Sequence, residues 1–176
     1  MHKYKNGVAN TAFTHHVKKT YALVESDYPF NIRIDRTEKE FDIKSIGHDD
    51  FDGELKHNVS AHPKVDRKTG EMMAFGYDVI NKCVHYSLIN KLRKVTSSLS
   101  IPISSPRMIH DFMITESYAI IPDLPMELRP DLCAQGKFIF HFDQAKPARY
   151  GIMKRNCLNP EAVQWFELPN HYVFHF

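Results

Sequence analysis

Along the chain, β-branched and aromatic residues alternate with polar ones in short stretches: 20–24, 31–34, 71–77, 84–89, 118–121, 137–142, 162–168 and 171–176. Alternation of this kind places one face of an extended chain inward and predicts strands. Between the stretches stand turn signals, Ser26-Asp27-Tyr28-Pro29, Asp52-Gly53, Lys68-Thr69-Gly70, Ser104-Ser105-Pro106 and Asn159-Pro160, at intervals too short for a three-turn helix. The best helical window, 130–135, is about one turn long and reads as a loop. The pattern predicts an all-β fold, which many short strands could realise as a sandwich, a barrel or a propeller. No sequence repeat, low-complexity tract or glycine- and serine-rich linker interrupts it, so residues 1–176 are expected to form a single domain.

Composition narrows the function classes more than the fold. The formal net charge is +2, with 23 basic residues spread among 21 acidic ones, and such a balance makes no field suited to a phosphate backbone. No nucleic-acid partner is expected. Cys83, Cys133 and Cys157 lie far apart with no C-x-x-C pair, which argues against a zinc knuckle or a disulfide framework and for reduced thiols. The first residues lack the apolar core of a signal peptide, and no run approaches the roughly 20 apolar residues of a membrane span. The expectation is a soluble protein, cytoplasmic or plastid, with no targeting segment visible in these residues.

The chain carries 11 histidines. His2, His15, His16, His48 and His57 sit in polar, turn-like surroundings and read as solvated. His85, His141 and His171 fall in strand stretches, where alternation turns the ring either to solvent or to a satisfied core position. Three others stand in distinctive settings: Ala61-His62-Pro63, Ile109-His110-Asp111-Phe112 and Val173-Phe174-His175-Phe176. Their separations of 48 and 65 residues exclude the local geometry of a helical H-E-x-x-H zinc site. They suit one ligand per four-stranded unit, since a propeller blade takes roughly 40–50 residues or more and brings its inner strand to a central axis. Imidazoles converging there would bind a divalent transition metal, although spacing alone names neither the metal nor its presence.

Longer motifs add a resemblance. Val8-Ala9-Asn10-Thr11-Ala12, Tyr21-Ala22-Leu23-Val24-Glu25, Phe51-Asp52-Gly53, Ala61-His62-Pro63-Lys64-Val65-Asp66, Thr69-Gly70-Glu71 and Phe75-Gly76-Tyr77 resemble, in order, landmarks of the carotenoid cleavage oxygenases. His110-Asp111-Phe112-Met113-Ile114-Thr115-Glu116, Ala148-Arg149-Tyr150-Gly151-Ile152, Trp165-Phe166-Glu167-Leu168-Pro169 and Phe174-His175-Phe176 continue the likeness, which runs from about Gly7 onward. The resemblance implies a seven-bladed β-propeller whose axis holds Fe(II) by four histidines. Three of them match His62, His110 and His175, and the fourth is expected beyond Phe176. It also implies an incomplete propeller domain over 1–176, truncated at both ends, with about three blades present. Glu25 resembles the first of the family's glutamates that hydrogen-bond iron ligands; a carboxylate on the far ring nitrogen would fix such a ligand's tautomer. Asn58-Val59-Ser60 and Arg67 depart from the family pattern.

The activity so implied is cleavage of a conjugated carbon-carbon double bond of a carotenoid or apocarotenoid by O2, giving two carbonyl products. The stilbenoid-cleaving branch shares the iron site, and a truncated, non-enzymatic propeller segment is the alternative of another class. No catalytic protein group beyond the metal ligands is expected, because iron carries the oxygen chemistry. Phe112 and Phe176, beside the ligands, read as packing residues. An apolar substrate drawn from a membrane calls for an apolar entry patch, so peripheral membrane contact accompanies this reading.

Overall fold

The computed structural model describes residues 7–176, so His2 lies outside the described residues. In chain order the strands are β1 (Ala12–His16), β2 (Lys19–Leu23), β3 (Phe30–Arg36), β4 (Phe41–His48), β5 (Lys64–Val65), β6 (Met72–Asp78), β7 (Cys83–Ile89) and β8 (Val95–Pro102). They continue with β9 (Met113–Ile114), β10 (Tyr118–Asp123), β11 (Met126–Leu128), β12 (Phe140–Phe142), β13 (Ala148–Lys154) and β14 (Gln164–Leu168). One helical turn, α1 (Pro130–Cys133), separates β11 from β12, and a 3-10 turn spans Pro160–Ala162. The fold is therefore all-β, and the 130–135 window supplies only its single turn.

Three four-stranded sheets account for most strands, ordered β1-β2-β3-β4, β5-β6-β7-β8 and β14-β13-β10-β9. Four strands connected mainly to their neighbours make the unit from which β-propellers are built. In the third sheet the chain leaves between β10 and β13 to form the β11-β12 ribbon, antiparallel from Met126↔Phe142 to Leu128↔Phe140. The β1-β2 hairpin closes through Val17 and Lys18, with φ of 46° and 60°. Two successive positive φ values suit the primed turn whose twist matches that of the strands.

Four long strands fall outside the stretches read from the sequence, each for a visible reason. Most of β4 is exposed, so it lacks an apolar face. Serines sit among the alternating positions of β8, and the buried one is Ser97. In β1 and β13 the inward positions include His16, Ala148 and Gly151, which carry little hydrophobic signal. Conversely, 171–176 is irregular rather than a strand.

The described residues form two compact units. One comprises the residues up to Gly76 with Ser87–Ser98, the other Tyr77–Tyr86 with Leu99–Phe176. The first is built on Tyr21, Leu23, Phe51, Leu55, Val59, Ala61, Met72, Ala74 and Ile89. Two histidines expected to be solvated belong to this interior. His16 is 1% exposed and His57 3%. His16 Nε2 donates to the Gly70 carbonyl at 3.0 Å, and burial holds its pKa below the ordinary value. His57 donates from Nδ1 to the Asn58 carbonyl and accepts from the Ser87 hydroxyl, both at 2.7 Å. His57 is thus satisfied at both nitrogens, as a buried polar ring requires, whereas His16 is bonded at Nε2 only and its buried Nδ1 has no hydrogen-bond partner. His48 is half-buried against Asp27 at 3.2 Å, whereas His15 is exposed as expected.

A charged cluster also stabilises this unit. Asp49 accepts from Lys19 at 2.9 Å, Tyr21 at 3.0 Å, the Phe51 amide at 3.0 Å and Arg93 at 2.8 Å. The Arg93 guanidinium also lies 4.8 Å from the centre of the Phe51 ring, within cation-π range. Burial pushes the Asp49 pKa up, but Lys19, the Phe51 amide, Arg93 and Tyr21 together hold it below the ordinary range. Burial, with Asp49 next to it, raises Tyr21.

The second unit packs Val84, Tyr86, Ile101, Ile109, Phe112, Ile121 and Met153 inside, with Tyr86 meeting Phe112 edge-on at 6.5 Å. Arg107 is buried between Asp123 at 2.8 Å and Glu127 at 3.1 Å. Arg149 pairs with Asp123 and Lys146 with Glu127, the latter at 2.6 Å, so each buried carboxylate has more than one cationic partner.

The depressed folded pKa of Asp49 makes its contribution fully present above the unfolded value near 3.8 and lost as pH falls through the folded value. Asp49→Asn is expected to cost about 3–5 kcal/mol at neutral pH. It should also flatten the acid limb of the stability profile, and chemical denaturation between pH 2 and 7 measures both effects.

Candidate metal centre

In the first unit, His62 follows a segment, 57–61, that is irregular yet wholly buried. Buried backbone outside a sheet needs its polar groups paired, and neighbouring segments supply the partners. Val59 N donates to the Asp27 carbonyl at 2.9 Å and Ser60 N to the Phe75 carbonyl at 2.6 Å. The Asn58 side chain donates to the Glu25 carbonyl at 2.6 Å, and the Ser60 hydroxyl accepts the His62 amide at 3.1 Å. The Glu25 segment and the His62 segment are thus fastened together. Asn58 and Ser60, two of the departures from the family pattern, are part of that fastening.

Gly76 on β6 allows the close approach. A Cβ there would lie 2.0 Å from the Asn58 carbonyl oxygen, so only glycine lets the segment rest on the strand. Half-buried His62 is placed where the chain emerges from this contact, followed by Pro63 and the short β5.

In the second unit, the structure brings His110 and His175 together. Their ring centroids are 4.8 Å apart at an interplanar angle of 80°. His110 is buried, 7% exposed, and the Phe174 ring stacks on it at 3.9 Å and 11°. The segment carrying His175 is irregular and is fixed by side chains. His171 donates from Nδ1 to the Pro169 carbonyl at 2.7 Å and accepts from the Tyr150 hydroxyl at 2.8 Å. Tyr172 donates to the Met108 carbonyl at 3.4 Å. Asp111 accepts the Phe112 amide at 2.8 Å and the Phe176 amide at 2.9 Å. Burial raises the Tyr150 pKa, which keeps its hydroxyl protonated and able to donate.

Sequence reasoning passed over Asp111, Tyr150 and His171 as parts of this arrangement. Asp111 stood inside a quoted motif, while His171 carried only the signal of a strand residue. Phe112 is fully buried and packs as expected; Phe176 is 40% exposed and lies edge-on to Tyr150 at 6.3 Å. His85 bonds Ser100 at 2.8 Å and His141 is exposed, so neither joins the pair. A cavity of about 580 Å³ in the first unit, lined by Phe13, His16, Val65 and Arg67 among others, includes none of the candidate ligands.

The retinal pigment epithelial membrane protein family matches residues 1–176. The chain belongs to the carotenoid cleavage oxygenases. It is 43% identical over 173 residues to a carotenoid 9,10(9',10')-cleavage dioxygenase 1 of Arabidopsis thaliana, covering 98% of this chain and 32% of the relative. A chloroplastic 9-cis-epoxycarotenoid dioxygenase of the same plant is 32% identical over 170 residues, 96% of this chain and 29% of its own. The crystal structure of a lignostilbene dioxygenase from Pseudomonas brassicacearum superimposes with a TM-score of 0.79 at 26% identity, over 92% of this chain and 33% of that one. The chain spans about a third of the length of the curated relatives it matches. These neighbours are propeller proteins, and the three four-stranded sheets are accordingly part of a β-propeller.

Gly76→Ala is expected to force the 57–61 segment off β6 and to lower stability by about 1–3 kcal/mol, the usual cost of overpacking. Thermal unfolding measures that cost, and a wild-type midpoint would show that the segment gives way freely.

Proposed function

We propose that this protein is an Fe(II)-dependent dioxygenase that cleaves a conjugated carbon-carbon double bond of a carotenoid or apocarotenoid with O2, giving two carbonyl products. His62, His110 and His175 are its iron ligands, within one incomplete propeller domain over 1–176. The observation that carries the reading is the His110–His175 ring pair, held within 4.8 Å in the second unit of a chain that belongs to this family. The donor chemistry fits: each of the three histidines can offer one neutral ring nitrogen. Neutral imidazole suits iron and adds no negative charge to it.

When bound, iron would supply the dioxygen chemistry, one oxygen atom ending on each of the two carbons formerly joined. The protein's part is placement. Burial of His110 and the Phe174 ring stacked on it keep water from one face of the ligand pair. The Glu25 carboxylate, on a segment fastened to that of His62, would orient a ligand ring and fix its tautomer. No general acid or base is required.

A stilbene-like substrate is the second reading, favoured by the likeness to a lignostilbene dioxygenase. Membrane contact would be peripheral in either case, to reach an apolar substrate, and no helix among the described residues is long and apolar enough to cross a membrane. A plastid location is consistent with the chloroplastic relative.

His110→Ala is expected to remove bound iron and with it O2-dependent cleavage of an apocarotenal, while His85→Ala leaves both in place. Iron analysis alongside product analysis, with an apocarotenal and a resveratrol-like stilbene offered separately, checks the reading and separates the two substrate classes. Iron retained at the wild-type ratio in His110→Ala would sink it.

A further inference from the structure

We propose that Asp111 is a positioning residue that makes His110 and His175 one prearranged pair. The inference rests on the reading of these two histidines as metal ligands. Asp111 follows His110 directly and is 3% exposed. Its Oδ1 accepts the amide of Phe112 at 2.8 Å, and its Oδ2 accepts the amide of Phe176 at 2.9 Å. One carboxylate therefore holds the backbone immediately after His110 and, 65 residues on, the backbone immediately after His175. A charged acceptor makes these the stronger kind of hydrogen bond.

The segment 169–176 is irregular, so no sheet ladder fixes the direction in which His175 leaves it. Phe174 stacks on His110 from the same segment, but a ring contact leaves the backbone free to slide. The Asp111 bond to Phe176 stops that sliding. Its effect is to lower the ordering cost that metal binding must otherwise meet, the general benefit of a prearranged site. Asparagine at 111 keeps the shape but offers one acceptor oxygen where the carboxylate offers two, turning an amide NH2 toward one of the two backbone donors.

The test compares wild type with Asp111→Asn and Asp111→Ala in the 176-residue chain. Hydrogen exchange of the metal-free proteins is read at the amide of Phe176. Co(II), used as the probe ion, is titrated while its visible absorption is followed. Exchange at Phe176 is expected to quicken in both variants, and the Co(II) affinity to fall about 10–100-fold, the usual effect of losing a residue that supports a metal ligand. The unfolding midpoint of metal-free Asp111→Asn should stay close to wild type, and the Co(II) absorption band should change shape, which a general loss of stability does not cause. Wild-type exchange at Phe176 together with wild-type Co(II) affinity in Asp111→Asn overturns the proposal. If the wild-type chain binds no Co(II), the ligand reading falls separately, and the exchange at Phe176 alone decides whether Asp111 joins the two segments.

Discussion

Irregular backbone can be buried only if its N–H and C=O groups find partners, because each one left unpaired costs more than a typical hydrogen bond returns. His62 and His110 stand on or beside such backbone, whereas His175 sits on an irregular segment that is half-buried to exposed. Ahead of His62, the 57–61 segment is satisfied by the carbonyls of Asp27 and Phe75. Around His110 and His175, the Asp111 carboxylate takes the Phe176 amide and the Tyr172 hydroxyl donates to the Met108 carbonyl, where no sheet ladder runs. The sheets themselves provide the edges from which these segments are hung, and the candidate ligands occupy places where regular pairing stops.

Buried carboxylates recur as the means of meeting that constraint. Asp27, 2% exposed, accepts the amides of Gly7 and Tyr28 and faces His48. Asp49 gathers Lys19, Tyr21 and Arg93, and Asp123 is paired by Arg107 and Arg149. Each is costly to desolvate and is tolerated because several donors share it. Removing one donor set leaves a buried charge unpaired, a larger cost than losing an exposed pair such as Arg129–Asp131.

Relatives with differently named substrates match the same stretch of chain, at 43% and 32% identity for two plant dioxygenases and 26% for the lignostilbene dioxygenase. What this chain shares with the lignostilbene dioxygenase over this third of that protein's length is the fold. The four-stranded sheets are part of that shared fold.

Sequence alone determined the strand character of β2, β3, β6, β7, β10 and β14, because alternation of apolar and polar residues reports directly on which face is buried. It also picked out His62, His110 and His175 as candidates through the motifs around them, whereas the 130–135 window, which reads as a loop, forms one helical turn over Pro130–Cys133. It could not reveal β4 or β8, whose exposed or serine-bearing faces carry no hydrophobic signal. Nor could it tell that 171–176 is irregular: Tyr172, Phe174 and Phe176 alternate as a strand would, but their partners are Met108, His110 and Asp111. The burial of His16 and His57, and the Gly76 contact with Asn58, were likewise decided by segments distant in the chain. Periodicity records the environment of one residue after another along an element. Which hydrogen bonds close a buried loop depends on residues tens of positions apart, and only the tertiary structure brings those together.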